Sequence, residues 1–506
     1  MKVDKKIILP SIFILVVSVF VISLAYFGAE VIENGNNPTG VTTGNLDVSL
    51  SDSAVSVSNL KPIYAQYIDS MAYKKEFTIT NAEDSLDSSN DIYLSINNIS
   101  NELKNQYFKY KVVVDKSEKS GDFSGAVNGE KLLIYNDLGV KSNTSKTISL
   151  YIWIEYAEGV DQLDMLGTEL SANLWLESID KKIPPTIYEK ILANNPTIKN
   201  DNASLFENVA DEESESGLFR TTLLDRNEDI DGDGVGEEVL YFRGVVENNY
   251  LVFANQCWRI VRTNESGNSI KLRYGGKPTI SGDTYTCPQT GTDVKITVNN
   301  RGTHTFSYNG QYNNAKYVKW VHEDGMDSNA KTQVETWYTN EIETQGEAIT
   351  NLIIDEPYCN DTSVGRTSGS STYYGAYIRL YTNKSPQFKC PNASDKYTVD
   401  ATKGNGKLSK PIGLLTADEV VFAGGKIASG NSSYYLYTGG YYWTLSPYRW
   451  TSSGAVEFNV YSSGGLDSNR VYNAVGLLPS VSIKVNAVVR NEGTGEYNNP
   501  YIILTQ

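Results

Sequence analysis

Between Leu46 and Leu176 six segments alternate apolar and polar residues with a period of two, which limits this part of the 506-residue chain to half-buried strands. Leu46, Val48 and Leu50 flank Asp47 and Ser49. The same step returns in Phe77–Ile79, Ile92–Ile96, Tyr110–Val114, Ile148–Ile154 and Ala172–Leu176. Successive strand side chains point to opposite faces, so each segment offers one apolar face to a core. Turns rich in Asn, Asp, Gly and Ser separate the segments. Strands at these spacings predict an antiparallel β-sandwich over residues 42–178.

Ahead of the strands, Lys2, Lys5 and Lys6 precede an uncharged apolar run from Ile7 to Phe27, about the length that spans a bilayer. The positive flank places the N-terminus inside the cell and everything after the run outside. Residues 1–29 therefore read as a signal peptide or a permanent membrane anchor, with Ala25 and Ala29 as small residues for processing. The expected location is the outer face of the cell membrane, or the medium after cleavage. With 60 acidic against 44 basic residues the net charge is −16, and no basic patch interleaved with aromatics argues for a nucleic-acid partner. Only two histidines occur, His304 and His322, which removes most zinc sites and most acid–base or triad chemistry.

Residues 179–215 read as a linker. Pro184-Pro185 breaks the preceding strand, Ile187–Leu192 makes a brief helix, and the Asn-rich stretch and acidic run Asp211, Glu212, Glu213, Glu215 follow. Next comes the one motif with explicit ligand spacing. Asn227, Asp229, Asp231 and Gly232, with Glu238 twelfth, fit an EF-hand calcium loop except for Asn in first place. A second register begins Asp229, Asp231, Asp233, Gly234 but has Leu240 where the bidentate Glu belongs. An acidic, glycine-rich hairpin turn satisfies the same letters. Calcium is thus the one cofactor the sequence suggests, without flanking amphipathic helices to support it.

Four cysteines, Cys257, Cys287, Cys359 and Cys390, lie downstream of the export segment and form no CxxC pair. Three disulfide connectivities are open to them, as is the state of four free thiols. Pairing of sequence neighbours is preferred, each loop closing about 30 residues. In Trp258–Arg262 the alternation supports one buried face with Arg259 on the polar side, and strands are expected near Lys295–Val298 and Thr303–Tyr308. Val334, Trp337, Tyr338 and Ile342 space as an amphipathic helix over Thr332–Glu343, and a second helix is expected over Gln345–Ile353.

The most aromatic block runs from Pro411 to Pro479. Thr416 with Glu419 makes a capping box for a short helix stopped by Gly424-Gly425, and Tyr441 to Tyr448 reads as a packed strand. With Tyr441-Tyr-Trp-Thr-Leu-Ser-Pro447, and with Gly476-Leu-Leu-Pro479, the block resembles bacterial surface domains of C-type-lectin-like fold, related in architecture to formylglycine-generating enzyme. In that family Arg usually stands where this chain has Leu478. The resemblance implies an α+β domain over residues 216–506 whose N-terminal part pairs with the last strand. Ala25-Tyr26-Phe27, Thr43–Leu46 and Tyr73–Asn81 are similar to the camelysin/TasA group of exported matrix proteins, which implies a jelly-roll-like sandwich for the first domain. A camelysin-type metalloprotease activity is not implied, because no histidine pair exists here.

Formylglycine-generating chemistry needs a reactive cysteine pair with copper, and the four cysteines stand outside the corresponding C-terminal segment. No catalytic residue is therefore expected. The leading expectation is a non-catalytic surface protein of a Gram-positive type, presenting an adhesive domain to an extracellular protein or glycan; the alternative is a structural subunit of a biofilm matrix or fibre. Tyr448, Arg449 and Trp450 are the expected contact loop, against the reading in which Trp450 packs beneath the domain's own loops.

Overall fold

The computed structural model describes residues 46–83, 85–115, 117–206, 215–296 and 304–505. The apolar run in 1–29, the acidic residues Asp211, Glu212 and Glu213, and Val298 lie outside the described residues. The fold is mainly β, and the chain divides into two compact units, Met1–Ile183 and Pro184–Gln506.

Among the described residues of the first unit ten strands follow in order: β1 Val48–Leu50, β2 Ala54–Ser58, β3 Pro62–Ile63, β4 Tyr73–Asn81, β5 Ser88–Ile99, β6 Phe108–Val114, β7 Ser117–Asp122, β8 Lys131–Val140, β9 Thr144–Glu155 and β10 Glu169–Asp180. One sheet has the order β1-β4-β9-β6-β7 with β3 beside β9, and the other has the order β2-β10-β5-β8. The predicted period is visible in β6, where Phe108, Tyr110, Val112 and Val114 are buried and the intervening residues are not. These side chains meet Ile92, Leu94 and Ile96 of the second sheet in one core. Four strands, β2, β3, β7 and β8, have no counterpart among the six segments, and β3 is only two residues long. β2 is short; β7 is polar throughout, as an edge strand can be; and β8 carries two register shifts against β5 that disturb its alternation.

The second unit begins earlier than the sequence reading placed it. The Ile187–Asn194 helix carries its own capping box from Thr186 and Glu189. Ile198–Asn200 pairs in parallel with Gly217–Thr221, and Asp201 forms a buried ion pair with Arg226. Residues 184–206 are thus a packed part of this unit rather than a free linker, because their apolar and charged groups find partners within it.

An eight-stranded sheet forms its base. The strand Gln256–Thr263 pairs with Val239–Arg243, Tyr250–Phe253 and Ser269–Gly276, and the last of these pairs with Ser480–Lys484. Leu251 stands opposite Tyr501, so one strand of the N-terminal part pairs with the last strand, as expected. Gln256–Arg262 is buried throughout, which corrects the one-faced reading: both faces of this strand are covered, one by the main core and one by the small cluster of Tyr250, Val252, Cys257 and Cys287.

A six-stranded sheet joins Val364–Ser368, Ser371–Tyr374, Tyr442–Thr451, Gly454–Val460, Gly465–Arg470 and Lys426–Ile427. The predicted helices appear as Asn329–Glu341 and, shorter than expected, Glu347–Thr350. No described residue near Lys295 or Thr305 lies in a strand; His304 instead makes an isolated bridge to Val475. Cys257–Cys287 and Cys359–Cys390 are disulfides, the sequence-neighbour pairing, as suits an oxidising compartment. Leu478 is buried in the main core, where the arginine of the resembled family would have to leave a charge. Among the described residues no helix is long and apolar enough to cross a membrane.

Candidate functional site

Tyr448, Arg449 and Trp450 do not form a loop. They continue the strand Tyr442–Thr451, with Arg449 opposite Tyr373 and Trp450 opposite Thr372, and all three are half-buried. Pro447 sits between two register shifts against Gly454–Val460, so a residue without an N–H is absorbed as an irregularity and the strand goes on. Tyr448 and Trp450 also pack against the main core.

What surrounds Tyr448 was not legible from the strand alone. Tyr377 and Tyr381, four residues apart on one helical turn, stack at 4.9 Å and 17°. Tyr448 meets Tyr377 edge-on at 5.1 Å, and Tyr373 lies 4.5 Å from Tyr377. Arg366 sits 4.8 Å above Tyr373, and Arg449 sits 5.6 Å above Tyr448. Tyr373, Tyr377 and Tyr381 are half-buried and Arg366 is exposed, so the four rings and two guanidiniums form a continuous surface patch. Beneath it Arg379 holds the helical segment in place, donating twice to Asp418 at 2.9 and 3.0 Å and once to Asp361 at 2.5 Å. The patch is built of large amphipathic groups, rings and guanidiniums, of the kind that suit contact with a partner.

The acidic hairpin assembles only in part. Asp229, Asp231 and Asp233 each bring a carboxylate oxygen within 4.8 Å of the others. Asn227 and Glu238 do not join them, contrary to the first register. The buried Asn227 amide donates to the Thr221 and Glu237 carbonyls at 2.9 and 2.7 Å, and Glu238 pairs with Arg220 at 2.8 Å. The hairpin's own N–H groups also use the carboxylates: Gly232 and Gly234 donate to Asp229, Asp233 to Asp231, and Val235 to Asp233.

A buried ion cluster centres on Glu419. As the third residue of its helix it completes the predicted capping box, its Oε2 accepting the Thr416 N–H at 2.9 Å. Its Oε1 accepts from Arg262 Nε at 2.8 Å and Lys271 Nζ at 2.9 Å. Both cations are enclosed, Arg262 being 5 % and Lys271 2 % exposed. Burial alone would raise the Glu419 pKa, but Lys271 and Arg262 hold it down to about 2. With both oxygens engaged, Glu419 is a structural anion rather than a proton shuttle. The sequence signal for this cluster was Arg262 and Lys271 set among apolar strand residues, where an internal carboxylate is one way to hold a buried cation. Arg259, expected on a polar face, is likewise buried; it stacks 3.7 Å over Tyr250 and donates to Asn249 and Val246, and burial lowers its pKa to about 10. His304 and His322 are buried as well, the latter packed edge-on to Tyr317, and neither stands beside another histidine.

A cavity of about 280 Å³ adjoins the cluster, with Glu228, Glu265, Glu356 and the Cys359–Cys390 disulfide in its walls. A second cleft, of about 430 Å³, is lined by Tyr250, Tyr435, Tyr497 and Gln289. Comparison with protein-family models, curated proteins and solved structures yields no match to this chain.

Proposed function

We propose that this chain is a bacterial cell-surface or secreted protein whose C-terminal unit, of C-type-lectin-like fold, is a non-catalytic adhesion domain. In this reading the first unit is a camelysin/TasA-like jelly roll that carries it away from the cell. The observation that supports the reading is the tyrosine–arginine patch around Tyr448. Tyrosine and arginine are enriched at interfaces because large planar groups gain contact area for little lost rotamer freedom. Two disulfides agree with an exported chain. The ligand in this reading is an extracellular protein or a glycan.

Arg366→Ala, at an exposed side chain, is expected to weaken binding about tenfold or more without lowering the melting temperature; Tyr377→Ser is expected to weaken binding as much and also to cost stability, since Tyr377 packs against the main core. Glycan arrays and pull-downs on intact cell surfaces measure this, and unchanged binding in both variants would overturn the assignment to the patch.

The alternative, a matrix or fibre subunit, draws on the open sheet edges of the first unit. The edge strand β7 carries Glu118, Lys119 and Asp122, charges that blunt edge-to-edge pairing, and this favours presentation over polymerisation.

Calcium enters the same reading through Asp229, Asp231 and Asp233, with an affinity of roughly 10⁻⁴–10⁻³ M, as in extracellular modules. Calorimetric titration is expected to show saturable heat that Asp231→Asn removes; no heat and an unchanged melting temperature would dismiss the site.

A further inference from the structure

The cavity beside Glu419 has an imbalance that the ion cluster does not remove. Its lining carries the carboxylates of Glu228, Asp229, Glu265, Glu356 and Glu419 against Arg262, Lys271, Lys396 and Lys403. Three of these carboxylates have cations: Glu419 holds Arg262 and Lys271, Glu265 lies 3.5 Å from Arg262, and Glu228 pairs with Lys396 at 2.7 Å. Glu356 has none within ion-pair distance among the described residues, although it is only 8 % exposed. Arg262 feels the Glu356 charge only from beyond that distance, so a cation placed in the cavity beside this largely enclosed carboxylate would be favoured.

Its setting is nonetheless built. Ser266 and Ser269 donate to the same Glu356 oxygen, Oε1, at 2.6 and 2.7 Å. Asn264 Nδ2 donates to Ser269 Oγ at 2.8 Å, which leaves the Ser269 hydroxyl hydrogen to point at Glu356. One carboxylate oxygen is thereby fixed, and among the described residues no protein donor bonds the other. We propose that this cavity binds a small ligand through a primary ammonium group, which takes the counter-ion position at Glu356.

Competing chemistries fit less well. Among the described residues the one group of three acidic or metal-ligating side chains close enough to share an ion is Asp229, Asp231 and Asp233, so Glu228, Glu265 and Glu356 do not converge on a metal. An anion would meet more carboxylates than cations here: Arg262 and Lys271 are held by Glu419 Oε1 and Lys396 by Glu228, which leaves Lys403 at the mouth, donating to the Asp355 carbonyl at 3.4 Å. Burial raises the Glu265 pKa, with the Glu228 charge adding to the rise and Arg262 opposing it, so this wall too gains from a cationic guest. The exposed Ile230 and Lys403 in the lining mark where the cavity meets solvent. A lysine side chain, a diamine and a chain terminus all present this group. None of the patch residues takes part, so the site stands or falls apart from the adhesion reading.

The test is calorimetric titration of the full chain at neutral pH with n-butylammonium and with glycinamide, beside 1-butanol and butyrate. Saturable heat is expected from at least one ammonium compound and from neither control. Butylammonium represents a lysine side chain or diamine and glycinamide a chain terminus, so the two arms separate the sources. Glu356→Gln keeps an acceptor for both serines and removes the charge. It is expected to weaken ammonium binding by about tenfold or more, with the melting temperature unchanged or raised. Absence of saturable heat from both ammonium compounds, equal binding of butyrate, or unchanged affinity in Glu356→Gln would overturn the proposal. The wild-type titrations decide the matter even where the variant fails to fold.

Discussion

Glu419→Ala is expected to destabilise the C-terminal unit by about 3–5 kcal/mol, the usual cost of removing one partner from a buried ion pair. The loss is large because Arg262 and Lys271 would remain enclosed with their shared anion gone, and because the helix Ala417–Phe422 would lose half of its capping box. Denaturant unfolding followed by near-ultraviolet circular dichroism measures it; a change near zero would show that the cations find water or another carboxylate. The same group sets an acid limit. Its folded-state pKa of about 2 lies below the ordinary 4.5, so the carboxylate contributes stability that is full above about pH 4.5 and is lost as the pH falls towards 2. The alanine variant is expected to lack this component of the acid transition.

Removing either disulfide ranks next. Cys257–Cys287 and Cys359–Cys390 span 30 and 31 residues, and loops of that length correspond to about 3–4 kcal/mol each in the chain-entropy model. Paired Cys→Ala variants are expected to lower the unfolding midpoint accordingly. The two pairs differ in their local consequence. Cys257 and Cys287 are buried among Tyr250 and Val252, so their loss opens packing. Cys390 donates its N–H to Glu228 at 3.1 Å and lines the cavity, so loss of the Cys359–Cys390 bond is expected to weaken ammonium binding as well as stability. Mass spectrometry without reduction provides the direct check, and four alkylatable thiols would contradict both bonds.

Much of the architecture was legible because its signals are local. Alternation in Tyr110–Val114 and Ile148–Ile154 reports a strand with one buried face whatever lies opposite, and the two segments pair with each other. The capping boxes behave in the same way: Thr416 and Glu419 are three residues apart, and the hydrogen bonds between them close within one turn. Where a reading failed, the missing partner was remote in sequence. The segment 184–206 looked like a connector because its helix and strand are short, yet Lys190 and Asn194 bond to Asn491 and Thr494, some 300 residues on. Asn227 had the letter for a calcium ligand, but its amide was claimed by the Thr221 and Glu237 carbonyls.

The tyrosine patch shows both sides. Composition marked Tyr448 and Arg449 as contact residues, but their partners Tyr373, Tyr377 and Arg366 lie about eighty residues earlier, brought alongside by the pairing of Ser371–Tyr374 with Tyr442–Thr451. For Glu419 the sequence reached the helix cap and no further.

The chain's own pattern thus accounts for the alternating strands of the first unit and for the capped helices, and it favoured without fixing the pairing of the cysteines, since each rests on short-range sterics, on the burial of one face or on the closure of a short loop. The sites come from folding. Arg262, Lys271 and Glu419, or Glu356, Ser266 and Ser269, acquire their chemistry only when distant strands enclose them, because a charge changes character when water is removed and the nearest groups become its solvent.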